Sequence, residues 1–380
     1  MTTTIDNEHK IFNVPNLRFP EFEGEWQEKR LSDIADLSKG IGISKDQLSA
    51  DGEPCILYGE LYTKYKSETI KEVISKTNID NTKLVKSKAN DVIIPCSGET
   101  AEEIATARCV LKDDILLGGD LNIIRLHGYD GSFMSYQLNG KRKYDIAKVA
   151  QGVSVVHLYG EHLKNIKTIN PSLNEQKKIA NLLSLLDERI STQNKVIDKL
   201  QSLIKGIAHR ISKQDKSNIR LSECLQCSSS TLQESDVAEV GQYPVYGANG
   251  VVGYLDTYNT TDEAIYIIKD GSGVGSVSYI NGKCSATGTL NILQAKDGFS
   301  LRYLYFMLKV FSFEPYKTGM AIPHIYFKDY GKAKIFCPPY ELQNKYADLL
   351  SKIEQKAIAE QKILDNLCSQ KQYLLRQMFI

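Results

Sequence analysis

The sequence predicts an α+β fold in which two β-rich blocks alternate with two long helices. An internal repeat aligns residues 152–212 with residues 319–379 without a gap. A repeat of this length indicates two similar modules. Each copy also joins a Gly- and Asn-rich stretch with short β-branched runs to a long apolar heptad pattern. The first pattern is typical of strands and turns, and the second is typical of a helix.

The first β-rich block covers residues 1–170, and strands are predicted within it at residues 91–94 and 121–126. The second β-rich block covers residues 213–337 and resembles the first only at short anchors, such as residues 119–123 against 288–292. Between the anchors the two blocks diverge in sequence and loop length. We therefore expect one scaffold with two different surfaces, as two readers of different signals would have.

The helices are predicted at residues 171–212 and 338–380, and residues 212–218 form a polar linker after the first. Pro171 and the capping-box pattern of Ser172 and Glu175 mark the start of the first helix. Apolar positions then step by four and three along both helices, as in a coiled coil. The predicted seam contains Ile179, Leu183, Leu186, Ile190, Gln193, Ile197, Leu200, Ile204, Leu350, Ile353, Glu360, Leu364 and Leu367.

Two seam positions near the middle of the helices are polar. Gln193 and Glu360 are equivalent in the repeat, so an antiparallel pairing about a pseudo-two-fold axis would bring them together. A polar contact in one core layer can fix the register of two helices. On periodicity alone, the pair of helices is either a ruler between two sites or a brace for the chain.

Composition indicates an ordinary globular protein. The chain has 380 residues, 42% of them hydrophobic and 24% charged, with a net charge of +1. No apolar run reaches the roughly 20 residues of a membrane span, and residues 1–8 lack the pattern of a secretory signal. A cytoplasmic protein that does not contact a membrane is expected. The 8 cysteines form no disulfide framework, and the pair at 224 and 227 lacks further ligands, so no metal site is predicted.

Catalytic motifs are missing from the sequence. Residues 337–340 (Cys-Pro-Pro-Tyr) resemble the motif of amino methyltransferases, but a cysteine sulfur is a weak acceptor for a target amine. Proline before a helix is ordinary, so we interpret the segment as helix initiation. Residues 271–276 (Gly-Ser-Gly-Val-Gly-Ser) have neither P-loop nor dinucleotide spacing and indicate a glycine turn or surface loop between two strands. No catalytic residue is predicted.

The repeat also contains a loop ending in His-hydrophobic-Tyr. His157 and His324 occupy this position, and basic residues cluster near each, at 141–148 and 302–334. One interpretation is a structural turn with the aromatic residue packed inward. The other places residues 151–157 and 318–324 against DNA phosphates or bases, since backbone and histidine donors suit phosphate positioning.

These features together resemble the specificity subunit of type I restriction–modification systems. The resemblance covers nearly the whole chain from residue 13. Its marks are the opening segments 17–20 (Leu-Arg-Phe-Pro) and 24–26 (Gly-Glu-Trp), the repeated loop, and the helix start from Pro171 through Glu175 and Gln176. The second copy departs from the pattern, because Leu342 stands where Glu is usual and Glu354 replaces an Asp.

The resemblance implies two β-rich target recognition domains, pseudo-two-fold related and separated by a long antiparallel two-helix coiled coil. Each domain would read one half of a bipartite site in double-stranded DNA. The helices would set the spacing and dock two methyltransferase subunits, and two restriction subunits would complete the nuclease. The chain itself would bind no cofactor and catalyse no reaction. S-adenosylmethionine, ATP and Mg²⁺ would belong to the partner subunits.

Candidate DNA contacts are polar or basic residues of the two loops and of the divergent blocks, where side chains suited to phosphates or base edges occur. They are Lys45, Lys64, Arg108, Gln151, Ser154, His157, Asn249, Lys269, Ser272, Lys283, Lys317 and His324. Two other functions stay open at this point. A coiled-coil scaffold that binds only proteins would show no DNA specificity, and a methyltransferase built on residues 337–340 would bind S-adenosylmethionine by itself.

Overall fold

The computed structural model describes residues 13–152 and 155–380. Residues 1–12, whose sequence was used above to exclude a secretory signal, and residues 153–154 lie outside the described part. The chain divides into two compact units. Unit 1 contains residues 1–192 and 363–380, and unit 2 contains residues 193–362.

Unit 1 is built from short strands and helices arranged in two five-stranded sheets and two strand pairs. The strands are β1 (Gln27–Arg30), β2 (Ala35–Lys39), β3 (Leu48–Ser49), β4 (Glu53–Ile56), β5 (Thr69–Ile70), β6 (Ser75–Thr77), β7 (Val85–Lys86), β8 (Asp91–Pro95), β9 (Ser97–Gly98), β10 (Arg108–Val110), β11 (Leu116–Leu117), β12 (Leu121–Leu126), β13 (Val156–His157) and β14 (Lys167–Asn170). The helices are α1 (Leu31–Ile34), α2 (Glu60–Thr63), α3 (Ala101–Ile104), α4 (Gly131–Asn139), α5 (Lys143–Val149) and α6 (Gly160–Lys164), with a 3₁₀ turn at Lys45–Gln47. The chain then enters the long helix α7 (Leu173–Ser212).

The sheets of unit 1 have the strand orders β2-β12-β8-β10-β5 and β3-β6-β4-β11-β7, and β1-β14 and β13-β9 form the pairs. Most neighbours are antiparallel, but β10 runs parallel to β5 and β11 runs parallel to β4. The predicted strands at residues 91–94 and 121–126 are confirmed as β8 and β12, which pair antiparallel. Both are buried over most of their length, as their continuous β-branched runs require.

Unit 2 has fewer strands. They are β15 (Ile219–Arg220), β16 (Leu225–Ser229), β17 (Tyr243–Gly247), β18 (Gly250–Leu255), β19 (Glu263–Ile268), β20 (Val277–Asn281), β21 (Ser285–Ala286), β22 (Leu290–Ala295) and β23 (Lys334–Ile335). The helices are α8 (Leu221–Cys224), α9 (Leu301–Lys309) and α10 (Phe327–Tyr330), with 3₁₀ turns at Glu234–Asp236 and Glu314–Tyr316, before the long helix α11 (Tyr340–Gln377). The sheet orders are β16-β22-β19-β20 and β18-β17-β21, and β15 pairs with β23.

The two long helices have 40 and 38 residues, and each contributes residues to both units. At the start of α7, Ser172 Oγ accepts a hydrogen bond from the Glu175 amide at 3.4 Å. The Glu175 carboxylate instead receives two hydrogen bonds from the Arg18 guanidinium, both 2.8 Å long. The predicted capping box is therefore present only in its serine half, because Glu175 ties the segment before β1 to the helix.

Within each unit the long helices pair in opposite directions. In unit 1, Ile179 and Leu183 of α7 share a core with Leu375 of α11 and the following Met378. In unit 2, Ile204 and Ala208 of α7 share a core with Ala347 and Leu350 of α11. Every residue of the predicted seam is buried or half-buried. Apolar positions of both long helices therefore contribute to one core in each unit.

The predicted meeting of Gln193 and Glu360 is confirmed within unit 2. Gln193 Nε2 donates to the backbone oxygen of Glu360 at 2.9 Å and also to the Glu360 carboxylate. Lys356 pairs with the same carboxylate at 2.5 Å. These hydrogen bonds lower the pKa of Glu360, with Lys356 the larger cause and Gln193 the next.

The end of the chain completes the core of unit 1. Phe379 is 2% exposed and stacks on Phe133 with ring centroids 5.1 Å apart. Trp26 contacts the same Phe133 ring edge-on at 5.8 Å. The Leu17 amide donates to the backbone oxygen of Gln377 at 2.9 Å. The segment before β1 and the end of α11 are thus joined to each other and to α4.

We predict that Phe379→Ala destabilises unit 1 by about 3–5 kcal/mol, since it removes a buried aromatic ring and leaves a cavity. Trp26 is the single tryptophan of the chain, so its fluorescence in a urea titration follows this unit. Tyr373→Ala is the matched control, because Tyr373 lies on the same helix and is 58% exposed. Equal unfolding midpoints for the two variants would contradict the packing role of Phe379.

Candidate nucleic-acid interface

The repeated loop forms the same hairpin in both units. In unit 1, His157 N donates to Gln151 O at 2.7 Å and Gln151 N donates to His157 O at 2.9 Å. In unit 2, His324 and Thr318 exchange the same two bonds, again at 2.7 and 2.9 Å. The predicted contact Ser154 lies outside the described residues.

Glycine is required at the second position of each hairpin. Gly152 has φ of 125° and Gly319 has φ of 88°, a region that favours glycine. A Cβ at Gly152 would overlap the backbone oxygen of Val155, and one at Gly319 would overlap that of Ile322. The repeated glycine of the sequence motif is therefore a consequence of the tight closure of the hairpin.

Each hairpin presents a histidine stacked on an exposed tyrosine. The His157 and Tyr159 rings are 6.2 Å apart at 26°, and the His324 and Tyr326 rings are 6.5 Å apart at 23°. Tyr159 is 53% exposed and Tyr326 is 47% exposed. The structural interpretation, with the aromatic residue packed inward, is therefore wrong in both copies. An exposed ring next to a hydrogen-bonding group is suited to contacting a ligand surface.

The neighbour of the hairpin differs between the units. In unit 1, β13 pairs with β9, which places Ser97 opposite His157. The preceding Cys96 accepts a backbone hydrogen bond from Leu158 at 2.8 Å. Burial raises the pKa of the Cys96 thiol to about 11, so this thiol is neutral at physiological pH.

In unit 2, Asp270 takes the place of Ser97. Its Oδ1 lies 2.6 Å from His324 Nδ1. A carboxylate can only accept a hydrogen bond, so Nδ1 carries the proton and the other ring nitrogen, Nε2, is the one directed away from Asp270. Sequence reasoning missed Asp270. Its position directly before Gly271, at the head of the glycine-rich segment, is the signal that could have found it.

The glycine-rich segment 271–276 lies beside this hairpin. It is a turn between β19 and β20, as predicted. Gly271 N donates to Pro323 O at 3.0 Å, and Ile325 N donates to Lys269 O at 2.9 Å. Ser272 is exposed on the same turn. The structure thus brings together four predicted contacts, namely Lys269, Ser272, Lys317 next to Thr318, and His324.

Lys45 and Lys64 of unit 1 line a common cavity of about 870 Å³. The Lys64 ammonium is partly neutralised, because it pairs with Glu60 at 2.7 Å and bonds Ser75 Oγ at 2.6 Å. Tyr58, which was not among the predicted contacts, is 39% exposed on the same wall. The cavity is otherwise mainly apolar, and its lining includes Gly42, Ile43, Leu48, Leu57, Gly119 and Asp120.

Ile43 on the cavity wall has φ of 72°. A β-branched residue in this region is an outlier that the surrounding structure must hold in place. Its neighbour Gly42 accepts a backbone hydrogen bond from Gly119 at 2.9 Å. This hydrogen bond helps to hold the strained backbone of the loop that leads to Lys45.

The remaining predicted contacts are scattered. Asn249 is exposed at the turn between β17 and β18. Lys283 is exposed, with its ammonium 4.9 Å from the centre of the Tyr258 ring. Arg108 instead donates to the backbone oxygens of Tyr65 at 3.2 Å and Ala107 at 2.9 Å, and burial lowers its pKa. Its guanidinium is therefore engaged inside unit 1.

Residues 337–339 precede α11 and Tyr340 is its first residue, so the helix-initiation interpretation is confirmed. Cys337 is buried, which raises the pKa of its thiol to about 11, and its backbone is held by the Asn218 side chain at 2.7 and 2.8 Å. In the described part of the chain, no three His, Cys, Asp or Glu side chains are grouped to hold a metal ion. None of the described helices has the length and apolar character to cross a membrane.

Comparison with known proteins agrees with this architecture. The model of the type I restriction modification DNA specificity domain matches residues 23–202 and 214–368. A Mycoplasma genitalium protein described as a type I specificity subunit is 25% identical over 287 residues, covering 68% of this chain and 73% of its own length. The MjaVIII specificity subunit of Methanocaldococcus jannaschii is 28% identical over 205 residues, which cover 54% of this chain and 45% of that protein.

The fold is shared with solved structures. The crystal structure of the type I restriction–modification S subunit from M. genitalium matches with a TM-score of 0.68 at 21% identity, covering 97% of this chain and 99% of that one. Since the family model matches both halves of the sequence, each with its own β-rich block, the chain belongs to the type I restriction–modification DNA specificity subunits.

Proposed function

We propose that this chain reads a bipartite sequence in double-stranded DNA, with each β-rich block recognising one half-site. The observation that carries the proposal is the hairpin built twice with the same closure, glycine and His–Tyr stack. A structure repeated in two blocks suits a ligand that offers the same chemistry twice. The DNA backbone does so, because phosphates are the same at every sequence.

In this proposal the hairpins position the DNA and the divergent loops read the bases. His157 and His324 would contact phosphates. The base edges would be read by Lys45 and Lys64 at their cavity in unit 1, and by Asn249 and Lys283 in unit 2. Lysine can donate to guanine, and asparagine can bond adenine. The different surfaces of the two blocks would then account for two different half-sites.

The long helices would set the spacing of the half-sites and dock two methyltransferase subunits. This part of the proposal is supported by exposed apolar side chains on both helices, namely Leu185, Leu203, Leu349, Ile358 and Ile363. Exposed apolar side chains on long helices favour a protein partner. S-adenosylmethionine would bind to those partners, and ATP and Mg²⁺ to two restriction subunits, with this chain supplying no catalytic group.

The test is a map of methylated adenines made in a methylation-free host that expresses this chain with its neighbouring methyltransferase. We expect one bipartite motif with a fixed gap, which disappears when this chain is omitted. A soluble complex that adds no methylation would contradict the proposal and favour a scaffold that binds only proteins.

Exchange of residues 1–170 for the corresponding block of another family member should change one half of the methylated motif and leave the other half intact. Each block would read its own half-site through its own loops. The reciprocal exchange of residues 213–337 serves as the control and should change the other half. If either exchange altered both halves, recognition would not be divided between the blocks.

Insertion of seven residues into each long helix should lengthen the gap between half-sites by about three base pairs. Seven residues add about 10 Å at 1.5 Å per residue, and a whole heptad keeps the apolar seam aligned. The gap is read directly from the methylation map. An unchanged gap in a folded, active variant would show that the helices do not measure the distance.

Gly319→Ala should weaken DNA binding by the assembled complex about tenfold, equivalent to about 1.4 kcal/mol, because the hairpin cannot close around a Cβ at this position. Binding is measured by fluorescence anisotropy with the mapped site. Gly282→Ala is the matched control. Gly282 also has positive φ, at 95°, but a Cβ there meets no atom within 4 Å. Equal losses in the two variants would mean that backbone strain alone, and not the hairpin, weakens binding.

A further inference from the structure

The repeat creates a pairing problem for the helices. Residues 152–212 and 319–379 are equivalent at an offset of 167 positions, so apolar seam residues match apolar seam residues. Leu183 corresponds to Leu350, and Ile211 corresponds to Met378. The apolar seam residues alone would therefore allow α7 to pair with α7 of a second copy of the chain, and α11 with α11. Phe379 corresponds to Ser212, so the core of unit 1 opposes such pairings in part, and polar residues between the helices oppose them further.

The first polar layer lies in unit 1 and centres on Lys371. Its ammonium lies 2.6 Å from Asp187 of α7 and 2.6 Å from Glu68. The Asp187 carboxylate also accepts hydrogen bonds from Tyr136 at 2.7 Å and Ser67 at 3.0 Å. The Lys371, Asp187 and Glu68 side chains are 13%, 8% and 12% exposed. This is a nearly buried cation between two carboxylates.

In the repeat, Lys371 of α11 corresponds to Ile204 of α7. If two α7 helices paired in the same antiparallel register, each Asp187 would face Ile204 and would lose its ammonium partner. Arg108 also interacts electrostatically with Glu68 and Asp187, but it donates its hydrogen bonds to backbone oxygens. A buried carboxylate that loses its cation is strongly destabilising.

The equivalent carboxylate in unit 2 is satisfied in another way. Glu354 corresponds to Asp187, and it pairs with Arg302 of α9 at 2.5 Å. Tyr305 donates to it at 2.7 Å. Its cation therefore comes from its own β-rich block. Glu354 would keep this partner in any pairing of the helices, so this position does not discriminate.

The second polar layer joins Gln193 to Glu360, which is 8% exposed. These two residues are equivalent in the repeat. Two α7 helices would place Gln193 against Gln193, which two amides can satisfy. Two α11 helices would place Glu360 against Glu360, and each Glu360 would lose both hydrogen bonds from the Gln193 amide. Lys356 would still pair with each carboxylate from the exposed side, but two carboxylates in one buried layer repel each other.

We propose that these two polar layers restrict the pairing of the helices, so that α7 accepts α11 and neither helix accepts a second copy of itself. Each layer excludes a different error. The Asp187–Lys371 contact excludes α7 with α7, and the Gln193–Glu360 contact excludes α11 with α11. Single buried polar residues fix register and partner choice in coiled coils in the same way. The inference concerns the chain alone and does not depend on DNA binding.

The test is the association state of the intact chain after refolding from denaturant at graded concentrations, followed by sedimentation velocity. A closed dimer of like-paired helices needs both errors at once. The double variant Asp187→Asn/Glu360→Gln should therefore form dimers at a concentration at least about tenfold lower than the unsubstituted chain. Both substitutions keep the side-chain shape and remove the charge, and each replaces one acceptor oxygen by a donating NH₂ group. Glu354→Gln is the matched control and should dimerise no more than the unsubstituted chain.

A second readout identifies which helices pair. A protease site placed in the exposed linker at residues 213–218 allows the folded chain to be cut between the repeat copies. The cut chain is partly unfolded and refolded, and native mass spectrometry then identifies which fragments are paired. For the unsubstituted chain we expect only pairs of one N-terminal with one C-terminal fragment. For Asp187→Asn we also expect pairs of two N-terminal fragments, and for Glu360→Gln pairs of two C-terminal fragments.

The proposal is overturned if the folded double variant dimerises no more readily than the unsubstituted chain. It is also overturned if Glu354→Gln produces as much dimer as the double variant, because the effect would then follow from loss of any acidic residue. Dimers in which α7 of one chain pairs with α11 of the other contain no pairing of like helices, so they would form equally in all variants. Finding only dimers of this kind would also count against the proposal.

Discussion

In each unit, one apolar core is shared between the β-rich block and both long helices. In unit 1 the ring of Phe133 packs between Trp26 and Phe379, at opposite ends of the sequence, with Ile179 and Leu183 of α7 beside them. In unit 2 a core of the same kind includes Ile204 and Leu350. Burial of apolar area is the main favourable term in folding. The blocks and helices therefore stabilise one another.

The hairpins show how a duplicated scaffold can carry different chemistry. The backbone closure is the same in both units, but the residue opposite the histidine is Ser97 in one and Asp270 in the other. A hydroxyl can donate or accept, whereas a carboxylate only accepts and carries charge. The proton on the ring of His324 is thereby fixed, and no carboxylate plays that part for His157 among the described residues. The residue that differs lies in the segment that pairs with the hairpin, outside the repeated motif itself.

The features that could be predicted from the sequence are those set by local periodicity. The heptads predict the helices and the contact of Gln193 with Glu360, because a period of seven residues specifies one face of a helix. The buried strands β8 and β12 follow from their β-branched runs. The site was harder to predict. Arg108 resembles a base-reading residue in the sequence, but the fold turns its guanidinium toward backbone oxygens. Asp270 and Tyr58 were missed because their positions depend on contacts between distant segments. The partner of Glu175 is Arg18, 157 residues away, so no local capping rule could find it.

The closure of unit 1 by residues 363–380 has a consequence for synthesis of the chain. Unit 2 is continuous in sequence, whereas the two parts of unit 1 are separated by the 170 residues from 193 to 362. At 5–20 residues per second, a ribosome takes roughly 10–35 s to cross that interval. During this time the first block has emerged, but Phe133 still lacks Phe379 and the Asp187 carboxylate still lacks Lys371. Residues up to 192 are therefore made before unit 2 but complete their core after it, and their open apolar surface must remain soluble until residues 363–380 have been made.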